Sequence, residues 1–138
     1  MRLLALDLGT KKCGIAISDP LQIISQSLET FFYQRQDFDD LINHLINLIN
    51  EMGPIEKIIL GIPKTNFQNT NPMTKIVLNF KSKLEQKLNY EVVLVNESYS
   101  SKWSDQIMSQ MNLSNKQKKA SRDKLAAQKI LSDYLMTK

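Results

Sequence analysis

Two short runs, Ile58-Ile59-Leu60-Gly61-Ile62 and Val92-Val93-Leu94-Val95, are apolar at every position except one glycine. A strand with one wet face alternates apolar and polar residues, so an unbroken run implies burial of both faces. Parallel strands covered by helices meet that requirement. The chain between the runs supplies one such helix, from about Pro72 to Leu88. Another precedes the first run, where Phe38, Leu41, Ile42, Leu45, Leu48, Ile49 and Met52 recur at helical spacing. Asp37, Asp39 and Asp40 lie in or before its first turn, and Gly53-Pro54 stops it. The polar stretch TNFQNTNP, after Ile62-Pro63-Lys64, has the composition of a loop.

The start of the chain reads differently. Residues 2–8 and 13–18 form two strands about the turn Gly9-Thr10-Lys11-Lys12. A third strand follows Asp19-Pro20, leading from Ile23 and Ile24 through Leu28 to Phe31-Phe32. Beyond Val95 the chain is helical, with a break near Leu113-Ser114-Asn115. The order β-β-β-α-β-α-β-α-α defines an α/β fold. Its mixed central sheet has three antiparallel strands, then parallel strands, flanked by helices. A length of 138 residues fits a single domain over 1–138, with no internal repeat or linker. No apolar stretch is long enough to span a bilayer, and the N-terminus lacks a signal-peptide layout. A cytoplasmic protein without a membrane partner is the expectation.

Three carboxylates stand on rows that should be apolar. Asp7 ends the run from Leu3 to Leu8, just before the turn. Glu97 follows the second buried run by two residues and shares a side of its strand with Val93 and Val95. From Asp123, residues Ala126, Ala127, Ile130, Leu131 and Tyr134 fall at helical intervals, so this acid lies on the core-facing stripe. An ionised carboxylate in such a place must be paired, protonated or bound to a cation. If the fold gathers all three, their mutual repulsion makes a divalent cation the natural partner. Mg²⁺ takes oxygen ligands from a few carboxylates and from substrate phosphates. Two such ions clamp the attacking and leaving oxygens in phosphodiester hydrolysis. Taken singly, each acid also fits a turn former or a first-turn helix charge.

The basic residues exceed the acidic ones, 18 to 14, for a net charge of +4. Lys116, Lys118, Lys119, Arg122 and Lys124 crowd the start of the helix carrying Asp123. Cations there oppose the helix dipole at a cost of roughly a few tenths of a kcal/mol each. A nucleic-acid backbone would offset that cost and deliver a phosphate beside the acids; a solvated charged face is the plainer alternative. Lys11 and Lys12 beside Asp7 add to the nucleic-acid reading. Cys13 has no second cysteine and reads as a small core residue. His44 falls on the polar face of its helix, and one histidine builds neither a zinc site nor a triad by itself. The six methionines read as core filler. Tyr99 could stack on unpaired bases, and Trp103 reads first as a packing residue.

The segments DLGTKKCGIAISDP, LGIPK, VVLVNES and RDKLAAQKIL resemble the YqgF (RuvX) family in order and spacing over nearly the whole chain. Its members are described as Holliday junction resolvases and as pre-16S rRNA nucleases. The resemblance implies a ribonuclease H-like fold and divalent-metal-dependent phosphodiester hydrolysis with water as the nucleophile. Carried over by position, the family's three acidic residues fall on Asp7, Glu97 and Asp123, which would hold Mg²⁺ or Mn²⁺. The implied partner is nucleic acid, either precursor rRNA or branched DNA, and junction cleavage would call for a homodimer. Two departures stand out. The family's Asp-Glu-Arg is Asn96-Glu97-Ser98 here, and its Asp-Gly after the LGIPK block is Phe67-Gln68. The missing arginine removes a bidentate phosphate contact. A nucleic-acid-binding module with impaired catalysis is therefore the second reading. A sugar-kinase or actin-like ATPase is the third, and it needs a second lobe that 138 residues cannot supply.

Overall fold

The computed structural model describes residues 1–63, 72–97 and 115–137, with the side chains of Glu97 and of residues 115–124 outside the described set. Strand β1 (Arg2–Leu8) pairs antiparallel with β2 (Lys12–Ser18), from Leu4 opposite Ile17 to Leu8 opposite Cys13. The turn between them closes with Gly9 N–H donating to the Lys12 carbonyl at 2.8 Å. A Cβ on Gly9 would lie 2.8 Å from that same oxygen, so glycine is required there. At the far end of β2, buried Ser18 accepts the Leu3 amide at 2.8 Å and pins the two strands together.

Strand β3 (Ser25–Phe32) completes the meander against β2. The turn before it is organised by Asp19, whose carboxylate accepts the amides of Leu21, Ile23 and Ile24 at 3.2, 2.7 and 2.8 Å. Ile23 and Ile24 thus belong to this turn rather than to the strand, and both are exposed. A bulge follows, because Ile15 faces Glu29 while Ala16 faces Ser27.

Helix α1 (Phe38–Met52) starts where Asp37 accepts the Asp40 amide and ends at Gly53, whose φ of 93° favours glycine. Strand β4 (Ile55–Pro63) then runs parallel to β1, with Leu3 beside Lys57 and Leu6 beside Leu60. Helix α2 (Pro72–Leu88) leads to β5 (Val92–Glu97), parallel to β4 from Ile58 and Val92 to Pro63 and Glu97. The final described helix is α3 (Asn115–Met136). The sheet order is β3-β2-β1-β4-β5. Of the two double-sided apolar runs only β4 is central; β5 is an edge strand, and Val93, Leu94 and Val95 are half-buried.

Strand alternation divides the core in two. Leu4, Leu6, Leu8, Cys13, Ile15, Ile17, Ile58 and Leu60 pack against α1 and α2, through Leu41, Leu45, Val77, Phe80 and Leu84 among others. On the other face, Leu3, Ala5, Ala16 and Ile59 meet Ala127, Ile130 and Leu131 of α3. His44 departs from the sequence expectation. It is half-buried, stacked on Phe31 at 4.0 Å between ring centroids, and 2.5 Å from the Glu29 carboxylate. The bulge explains this, since it turns Glu29 toward α1 while Leu28 packs into the same core.

Candidate active site

Asp7 continues the row of Leu3 and Ala5, the residues of β1 that meet α3, and is itself half-buried. It lies one residue past the Leu6–Leu60 pair, level with the carboxyl end of β4. Glu97 is the last residue of β5, opposite Pro63 on β4. The carboxyl ends of β1 and β5 therefore flank that of β4. Two strand spacings separate them across the sheet, about 9.5 Å. Ligands of open α/β sheets bind at this edge.

Helix α3 crosses from that edge to the opposite one. Its later turns are fixed at the amino ends of β1 and β4. Ser132 Oγ is 2.6 Å from Ser25 Oγ, Gln128 donates to the Ser25 carbonyl at 3.3 Å, and Tyr134 hydrogen-bonds Lys57. That last bond is the main reason the Lys57 ammonium is held above its ordinary range. Ser25 pairs with Ser18, which bonds Leu3, so Ser132 is level with the start of β1. Position 123 lies nine residues, about 13.5 Å of helix, before Ser132. It lies one turn before buried Ala127, in line with Ile130 and Leu131.

The side chains of Glu97 and Asp123 lie outside the described residues, as do those of Lys116, Lys118, Lys119, Arg122 and Lys124. Ser98, Tyr99, Trp103, Phe67 and Gln68 lie outside them altogether. Among the described residues no group of three metal-binding side chains comes together. Asp7 is the member of the trio whose surroundings are visible. Its charge is felt by Cys13, a fully buried thiol raised well above its usual range first by burial and then by Asp7. Lys11 is exposed and Lys12 half-buried at the adjoining turn.

One residue near Asp7 escapes sequence reasoning. Tyr33 is buried, and its hydroxyl lies 2.5 Å from the Gly9 carbonyl and 2.9 Å from that of Lys12. Burial is the chief cause that raises its phenol well above the ordinary range, with Cys13 and Asp7 adding to it. The sequence signal is slight, a third aromatic after Phe31-Phe32.

A three-stranded antiparallel meander extended by two parallel strands, with helices on both faces, defines a protein of the ribonuclease H-like fold. Solved structures of that kind superpose over nearly the whole chain. RuvC from Thermus thermophilus, in complex with Holliday junction substrate, gives a TM-score of 0.61 at 14% identity, covering 99% of this chain and 96% of that one. The Fowlpox virus Holliday junction resolvase gives 0.59 at 15% identity, with both chains covered in full. The chain belongs to the RuvX family, whose model, described as Holliday junction resolvase, matches residues 1–137. It is similar to proteins named pre-16S rRNA nuclease. That of Mesomycoplasma hyopneumoniae strain 7448 is 38% identical over 137 residues, 99% of this chain and 95% of the relative. That of Geobacillus kaustophilus is 34% identical over 138 residues, 100% and 99% of the two.

Proposed function

We propose that this chain is a divalent-metal-dependent nuclease that hydrolyses phosphodiester bonds of precursor 16S rRNA at its 5′ end. Family membership over residues 1–137 supports the nuclease, and the relatives' name supports the substrate. The observation that carries the site is the half-buried carboxylate of Asp7 at the carboxyl edge of the sheet, the edge at which β5 ends with Glu97. A donor set made of carboxylate oxygens fits a hard cation, Mg²⁺ or Mn²⁺.

Asp7, Glu97 and Asp123 would hold the cation. The bound metal supplies Lewis acidity to the scissile phosphate and lowers the pKa of the attacking water. Lys11 and Lys12 take the backbone on one side of Asp7. Lys116, Lys118, Lys119 and Arg122 take it along the first turns of α3, where each phosphate neutralised offsets a cation placed against the helix dipole.

The test is cleavage of end-labelled precursor rRNA fragments and of four-way DNA junctions, each with Mn²⁺ or with EDTA. Cutting of the rRNA fragments in Mn²⁺ alone is the expected result. Cutting confined to junctions would move the substrate to branched DNA. Binding without cutting of either would overturn the nuclease in favour of a nucleic-acid-binding module.

A further inference from the structure

The segment after β3 wraps the β1–β2 turn from one side. Besides the Tyr33 hydroxyl on the carbonyls of Gly9 and Lys12, the Tyr33 amide donates to Lys11 O at 2.9 Å and the Gln36 amide to Thr10 O at 2.7 Å. The carbonyls of Thr10 and Lys11 therefore each accept an amide of residues 33–36, and those of Gly9 and Lys12 share the one Tyr33 hydroxyl proton. The ring that anchors this strap is fixed by neighbours, edge-on to Phe38 at 5.8 Å and tilted to Phe31 at 6.2 Å. Gln36 holds its place at a φ of 57°, a left-handed conformation that the two flanking hydrogen bonds support.

The peptide bonds of the described residues are trans, and in a trans peptide the N–H points opposite the preceding carbonyl. With the carbonyls of Gly9 and Thr10 drawn toward the strap, the amides of Thr10 and Lys11 point away from it. Neither amide enters a hydrogen bond among the described residues. Successive amides facing one way make an anion-binding concavity, and here Lys11, one of its two residues, is exposed and cationic. This donor face begins three residues after Asp7.

We infer that Tyr33 is a positioning residue: by holding the Gly9 carbonyl, its hydroxyl turns the Thr10 amide outward, beside the Lys11 amide that the Gln36 bond to Thr10 O turns the same way, so that the pair grips one backbone phosphate of the nucleic acid beside Asp7. The inference rests on the nuclease reading above and adds to it a residue that touches no substrate. A phenol kept protonated by burial is a constant donor, as this role requires.

Tyr33→Phe keeps the ring and removes only the hydroxyl. Binding of a single-stranded fragment of the rRNA precursor would be measured in EDTA at several salt concentrations. The expected result is a Kd weakened roughly tenfold, as for loss of one charged hydrogen bond. The salt dependence should become shallower by about one phosphate, near 0.7 in the slope for a single strand. Cleavage at saturating substrate should change little, so KM moves and kcat does not. A purely structural role would lower the unfolding midpoint and leave the salt slope untouched, which would overturn the proposal. Wild-type protein labelled with ¹⁵N gives a reading that no folding defect can blur. Its Thr10 and Lys11 amide resonances should shift on adding the RNA. Binding with those amides unmoved overturns this inference alone, whereas no binding by the wild type overturns the nuclease reading as well.

Discussion

Asp7 and Gly14 stand directly opposite one another across β1 and β2, so the cross-strand partner of the candidate metal ligand has no side chain. The next residue along that row is Thr30 on β3, beyond the bare strip left by Gly14. Replacing Asp7 by asparagine keeps its volume and displaces nothing on β2. Asp7→Asn should therefore unfold near the wild-type midpoint and bind nucleic acid, yet lose cleavage by more than about 100-fold, the most that even an outer-shell partner of a metal contributes. Single-turnover cleavage in Mn²⁺, with circular dichroism on the same sample, reads both. Metal-dependent cutting at the wild-type rate would take Asp7 out of the mechanism.

Leu131 is fully buried between α3 and the Leu3, Ala5 and Ile59 face of the sheet. Leu131→Ala should cost about 2–5 kcal/mol in urea unfolding. Because the same helix carries position 123, cleavage should weaken at temperatures where the variant is still folded. A loss under 1 kcal/mol would mean that α3 is held mainly by its polar ties to Ser25 and Lys57.

Asp19 titrates below the usual carboxylate range because its carboxylate accepts the Ile24 amide above all, then those of Ile23 and Leu21. A depressed folded-state pKa stabilises the fold above the unfolded value, about 3.9, and that stabilisation is lost as pH falls through the folded value. Asp19→Asn can still accept a hydrogen bond but cannot titrate. The melting temperatures of wild type and variant should run parallel above about pH 5 and converge below about pH 4. Parallel curves throughout would remove Asp19 from the acid limb.

Cys13 is fully buried, and both burial and the Asp7 charge keep its thiol protonated. The thiolate is the reactive form. Iodoacetamide should leave the folded protein unmodified, with labelling rising in step with unfolding across a urea series. Rapid labelling without urea would show that β2 opens locally.

What the sequence reveals here is what periodicity can carry. The double-sided run of β4 and the stripe of α1 were legible because burial on both faces, or on one helical face, leaves its mark at fixed intervals. The edge position of β5 was not, since strand order depends on which neighbours pair and not on the run itself. His44 was misread for a related reason. A period of two cannot foresee the bulge between Ile15 and Ala16 that swings Glu29 toward α1.

For the candidate site, each of Asp7, Glu97 and Asp123 could be singled out because it interrupts an apolar row. Bringing all three to one sheet edge would need the parallel pairing of β1, β4 and β5 and a suitable direction of α3, neither of which a local pattern encodes. Tyr33 was out of reach because its hydroxyl acts on carbonyls 24 and 21 residues earlier. A backbone hydrogen bond leaves no imprint on the choice of the residues that accept it.

The division of the core into two layers has a consequence for synthesis. A ribosome delivers β1 to β4 and both α1-side helices before α3, so Leu3, Ala5, Ala16 and Ile59 stay wet on one face of a sheet already covered on the other. At about 5–20 residues per second, the 48 residues from 89 to 136 take roughly 2 to 10 s to add. During that interval the nascent chain displays an apolar sheet face flanked by the open β3 strand, the kind of surface that sticks to other chains. An early stop before Asn115 would make that display permanent, so the price of a message truncated there is aggregation rather than mere inactivity.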